Sequence, residues 1–289
     1  LGPRSKVQGF MRIKTALMIS FWSLCAALFL MMPEGAAASP ETADAKPRRI
    51  IASDSILSGM AAALLPSGRY AVEAILPPGQ CPGHYDVKLS DIEKTKKADL
   101  IIAFQGLSFM GKNGFGGKTH LIVEAKGRNW MAPDSYIYGL GVLADELSRR
   151  FPHDKNEIMK KKQAEIDRVK AKGAWLIKRI KGTGCFGKPV IATAMQKEPL
   201  EWMGFRVIGQ YGRPEAVSAR DIIHLAKIGK NGKAVAVIDN LQSGPDTGKG
   251  IAEILGVPHV VLSNFPSEKG YLVTLQENVD AIAAAVIRR

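Results

Sequence analysis

Cys81 and His84 stand three residues apart in Gln80-Cys-Pro-Gly-His84, a thiol and an imidazole that one turn can aim at a common centre. Sulfur combined with imidazole is donor chemistry for zinc or copper(I), whereas manganese prefers oxygen. The same two residues also fit a plainer reading: Cys81 as a small buried residue or half of a bridge, and His84 as a hydrogen-bond donor to its own loop. Other chemistry-bearing residues are scattered. His120 opens an apolar run, His153 and His224 fall in or beside helical patterns, and His259 precedes an apolar run, all positions suited to structural or solvated roles. Glu198 and Glu201 share a helix face at i,i+3 spacing, the usual pattern of a polar surface. Gly182–Gly187 holds three glycines without the Gly-Lys-Ser/Thr end of a phosphate loop, so it reads as a turn. Neither Gly-x-Ser-x-Gly nor His-Glu-x-x-His occurs, and nothing in the pattern calls for an enzyme.

The elements that must position these residues alternate. Apolar runs at Arg49–Asp54, Tyr70–Leu76, Ala98–Phe104 and His120–Glu124 read as strands, with helical spacing at Ser55–Leu65 and Ser90–Lys97. Ser135–Lys181 is helical, broken near Phe151–Asp154, and Asn156–Ile180 forms one helix of about 25 residues spanning roughly 40 Å. Beyond it the alternation resumes: strands at Pro189–Ala194, Arg206–Gly209, Ala234–Ile238 and His259–Leu262 are separated by helices and followed by a final helix at Tyr271–Ile287. The fold class is therefore α/β: two lobes with mostly parallel sheets, joined by one long backbone helix. The expected boundaries are a leader at 1–38, a linker at 39–48, an N-terminal lobe at 49–134, bridging helices at 135–182 and a C-terminal lobe at 183–289. In such sheets ligands bind beyond the carboxyl ends of the strands, so the residues just after each strand matter most. The glycine-rich stretch 106–117 reads as a loop.

Composition narrows the function. With 289 residues, 46% of them hydrophobic and 23% charged, the chain is globular, not fibrous or disordered. Met11–Ala38 reads as a secretory signal, with Arg12 and Lys14 before the apolar run Ala16–Met32 and a small-residue cleavage site at Ala36-Ala-Ala38. The expected location is thus periplasmic or extracytoplasmic, with residues 1–10 as upstream sequence. Cys25 falls inside the apolar run, and export leaves Cys81 and Cys185, too few to build a disulfide scaffold. The net charge of +13 would suit nucleic acid, but the lysines fall largely on the long helix among acids, without the interleaved aromatics that base stacking needs. No nucleic-acid partner is expected, and the chain is expected to be monomeric.

Pro78-Gly-Gln-Cys-Pro-Gly-His-Tyr-Asp-Val-Lys-Leu-Ser-Asp91, followed by Ala98-Asp-Leu-Ile-Ile102, resembles the signature of the zinc/manganese receptor family of ABC-transporter solute-binding proteins. Trp130 with Pro133 before a helix, the long helix, Val235–Asp239, Ile251–Gly256, Val260–Leu262 and the final helix match in the same order. The resemblance implies a transition-metal ion as cargo, zinc first with copper or manganese as alternatives. It also implies a cleft between two lobes bridged by a rigid helix, and delivery to an ABC permease in the inner membrane. It places the family's four ligand positions at Gly83 or His84, at Arg128 or Asn129, near Thr193 to Met195, and at Asp239 with Ser263 or Asn264. Metal ligands would then be Cys81, His84 and Asp239, with Arg128, Met195, Glu198 and Asn264 lining the cleft. A guanidinium beside a divalent ion is unfavourable without an intervening anion. A metal chelate, tetrapyrrole or small organic anion is therefore the alternative cargo, and an exported adhesin or scaffold is a further one.

Overall fold

Residues 46–111 and 120–287 are described in the computed structural model. The leader with Cys25, most of the 39–48 linker, and 112–117 of the glycine-rich stretch with the two residues after it lie outside the described residues. The first sheet holds β1 (Arg48–Ala52), β2 (Tyr70–Ala74), β3 (Leu100–Phe104) and β4 (His120–Val123) in the order β2-β1-β3-β4. The second holds β5 (Pro189–Thr193), β6 (Arg206–Tyr211), β7 (Val237–Asn240) and β8 (His259–Leu262) in the order β6-β5-β7-β8. Every pairing in both sheets is parallel, as strands joined through helices require.

Side chains alternate between the two faces of each sheet. Ile50 and Ala52 of β1, with Leu100 and Ile102 of β3, face the main apolar cluster, while Ile51 and Ile101 face a smaller outer one. The second sheet repeats the arrangement: Val190, Ala192 and Ile238 point inward, Ile191 and Val237 outward. The long helix, Lys155–Gly182, buries Ile158, Val169, Leu176 and Ile180 completely in the same inner cluster. Their spacings of eleven, seven and four residues keep them on one stripe of a 3.6-residue helix. One core therefore runs from the first sheet, through this helix, to the second. The preceding helix, Pro133–Arg150, starts on a proline at its first turn and ends at a single 3-10 turn, Pro152–Asp154, where the helical pattern breaks. Its Tyr136 stacks on Tyr271 of the last helix, Tyr271–Ile287, with centroids 3.7 Å apart. Cys81 and Cys185 are both free, and Cys185 is buried in the main core.

Candidate functional site

Segments following β4, β5 and β8 converge at the carboxyl edges of the two sheets. After β4 the chain turns through Lys126 and Gly127, both at positive φ, and closes with the Arg128 N–H donating to the Ala125 carbonyl at 3.0 Å. Two consecutive left-handed residues make a tight reversal that favours glycine at the second place. That reversal presents Arg128 and Asn129 to a hollow of about 370 Å³ lined also by Met195, Lys197, Glu198 and Asn264.

Asn129 is the hub. Its side-chain amide donates to the Met195 carbonyl and to Asn264 Oδ1, each at 2.5 Å, while its own Oδ1 accepts from the Met131 N–H at 2.9 Å. Its backbone N–H donates to Glu198 Oε2 at 2.5 Å, and the Ser135 hydroxyl donates to the other Glu198 oxygen. Glu198 reaches them from the short helix Lys197–Trp202. Asn264 is held from behind, its N–H donating to Gln242 Oε1 at 2.8 Å, and its amide nitrogen lies 3.9 Å from Met195 Sδ. Asn129 of the first lobe and Ser135 of the helix that follows it are thus bonded directly to Met195, Glu198 and Asn264 of the second lobe. Arg128 is exposed, with its guanidinium 4.6 Å from the centroid of the Tyr138 ring. Lys197 is exposed too, so two cations stand at the mouth of the hollow, with Glu198 tied up beneath.

The expected metal ligands are not among its walls. Cys81 caps a 3-10 turn, Pro82–His84, and His84 is exposed, its Nε2 3.7 Å from Glu215 across the cleft rim. Gly83 sits against Arg213, which a β-carbon there would meet at 2.9 Å. Asp239 sits in a different place from the one expected. The apolar run ends at Ile238, which placed Asp239 in a loop, but the ladder of β7 continues through Asn240. Asp239 therefore shares the outer face with Val237 and is fully buried. Its Oδ1 accepts from the Tyr211 hydroxyl at 2.7 Å, and its Oδ2 from the Gly248 N–H at 2.8 Å and from His259 at 2.7 Å. Burial, with Asp239 beside it, pushes the Tyr211 hydroxyl pKa far up, so it stays a proton donor to that carboxylate. Among the described residues no group of three or more His, Cys, Asp and Glu could hold a metal ion.

Sequence reasoning placed Arg128, Met195, Glu198 and Asn264 on the cleft, and the structure brings these four together. It passed over Ser135, Lys197 and Gln242. Lys197 and Ser135 carried a positional signal, one lying two residues past the Met195 ligand position and the other in the first turn of the helix after Trp130. A second cavity, about 410 Å³, lies between the long helix and the segment 266–273, walled by Tyr136, Glu165, Arg168 and Tyr271 among others. Its buried carboxylate already pairs with Arg168 at 2.8 Å, and none of the expected metal ligands or cleft-lining residues lines it.

No protein-family model matches the chain, and no curated protein matches it. Solved structures do. A manganese-bound periplasmic metal-binding protein from Candidatus Liberibacter asiaticus superposes with a TM-score of 0.70 at 15% identity, over 83% of this chain and 99% of that one. The periplasmic zinc-binding protein TroA from Treponema pallidum gives 0.68 at 17% identity, with 83% and 99% covered. The laminin-binding protein Lmb of Streptococcus agalactiae, a bifunctional protein with adhesin and metal-transporting activity, gives 0.67 at 17%, again with 83% and 99% covered. The chain has the fold of these proteins.

Proposed function

We propose that the chain is the exported solute-binding component of an ABC importer, taking cargo in the interlobe hollow and handing it to a permease in the inner membrane. The likeness of fold to periplasmic metal-binding proteins supports the receptor role and a role in metal uptake. The observation that carries the choice of cargo is the make-up of the hollow: Arg128 and Lys197 at its mouth, amides and a thioether within, and its one carboxylate engaged by Asn129 and Ser135. Such a set supplies positive charge and neutral hydrogen-bonding groups, which suit an anion better than a bare cation. The cargo is then a metal chelate, a tetrapyrrole or a small organic anion, with Arg128 as its counter-charge. The role is capture and release, not catalysis.

The test is native and elemental mass spectrometry on protein purified without affinity-tag metal, alongside Arg128→Ala. An organic mass or chelate that is lost in the variant is the expected result. Stoichiometric bare metal, retained in Arg128→Ala and lost in Cys81→Ala/His84→Ala, would overturn it in favour of a second reading, a transition-metal ion held near the Cys81–His84 turn. That reading rests on the solved metal receptors of the same fold.

A further inference from the structure

From Arg168 to Lys188 the sequence contains seven basic residues and no acid. This stretch covers the last four turns of the long helix and the turn leading to the amino end of β5, whereas the cargo hollow lies past the carboxyl ends of the strands. Two large aromatic side chains stand out on it. Trp175 is 44% exposed, with Lys172 Nζ 4.5 Å and the Arg179 guanidinium 4.8 Å from its ring centroid. Phe186 is 50% exposed, with Lys181 Nζ 5.1 Å from its ring. Phe186 lies over Gly204, where a β-carbon would come within 2.2 Å of the ring, so the ring is seated on backbone yet open to solvent. Lys170, Lys178, Lys181 and Lys188 are exposed, and none of them makes an ion pair among the described residues. Arg179 is paired with Asp280 at 2.9 Å and Arg168 with Glu165 at 2.8 Å.

We infer that this face docks the protein on an anionic phospholipid surface. Half-exposed aromatic rings capped by cations are the arrangement that rests at a lipid headgroup boundary, rings inward and ammonium groups at the phosphates. Unpaired lysines add attraction to anionic lipid without any requirement for shape. A protein partner fits less well, because lysine is depleted from protein interfaces, whose centres are apolar and closely packed. The inference is independent of the cargo: an importer receptor that fails to bind any chelate would still show it.

The test uses the chain from Ser39, which keeps all three apolar clusters. It is floated with vesicles of phosphatidylcholine alone or with roughly a third phosphatidylglycerol. Binding should require the anionic lipid, weaken about tenfold or more in high salt, and shift Trp175 emission to the blue. Lys178→Glu/Lys181→Glu/Lys188→Glu and, separately, Trp175→Gln/Phe186→Gln should each lower binding about tenfold with an unchanged circular-dichroism spectrum. Lys155→Glu/Lys160→Glu/Lys227→Glu, an equal change of charge elsewhere, should leave it unaltered. Equal loss in that control would reduce the effect to net charge and overturn the inference. So would retention on an acidic protein without any vesicle binding.

Discussion

At the scale of the residue, Asn129 ties the two walls of the hollow together. Its amide gives two hydrogen bonds to the second lobe, and its backbone gives a third to Glu198. Removing the amide loses two hydrogen bonds whose acceptors water can reach, at a cost of about 0.5–1.5 kcal/mol. Asn129→Ala should therefore lower the unfolding free energy obtained from urea denaturation by that much, and a variant as stable as the parent would show that water replaces the bridge freely. Asp239 makes the contrasting case. It is a fully buried carboxylate with three donors, so Asp239→Ala strands Tyr211 and His259 and should cost about 3–5 kcal/mol. Because it faces away from the hollow, cargo retained at low temperature should be unchanged. Loss of cargo with little loss of stability would return Asp239 to the list of ligands.

At the scale of the element, what could be read in advance was periodicity. The strand and helix runs, the break at Phe151–Asp154 and the long helix all follow from apolar spacing, since burial on one face or both imposes a period that survives in one dimension. Register does not survive. Whether Asp239 ends a strand or begins a loop depends on Tyr211, Gly248 and His259, partners brought from three other segments. The hub role of Asn129 was hidden for the same reason, since its partners lie 66 to 135 residues away. Within the long helix, the spacing that makes a stripe also buries Glu165 against the Tyr136 side of the neighbouring helix. Burial raises its carboxyl pKa above the ordinary 4.5, while Arg168 pulls the other way. Ionisation is then harder folded than unfolded. Its contribution to stability is complete below pH 4.5 and is lost as pH rises through the higher folded value. Measured by denaturation, Glu165→Gln should gain on the parent as pH rises above 4.5 and level off once the raised folded value is passed. A difference between the two that does not change with pH would mean the Arg168 pair cancels burial.

At the scale of the whole molecule, the continuous core sets how the lobes move. A cleft protein whose lobes had separate cores would open on a flexible linker and melt in two steps. Here Ile158, Val169, Leu176 and Ile180 belong to the same cluster as Ile50 and Ile102 of one sheet and Val190 and Ile238 of the other. The Tyr136–Tyr271 stack and the Tyr271 hydroxyl donating to the Met131 carbonyl at 3.2 Å pin the last helix to the first lobe as well. Separating the lobes would expose that apolar surface at roughly 25 cal/mol per Å², a far larger cost than the few hydrogen bonds bridging the hollow. Under the proposed receptor role, cargo would enter by small tilts and by release of the Asn129 bridge, not by wide rotation of one lobe against the other. Unfolding followed through Trp130 and Trp202 fluorescence and through far-ultraviolet circular dichroism should give one coincident transition. Asn129→Ala should shift that transition without splitting it. Two resolved transitions, or a radius of gyration that grows markedly in Asn129→Ala, would show that the bridge and not the helix-borne core holds the lobes together.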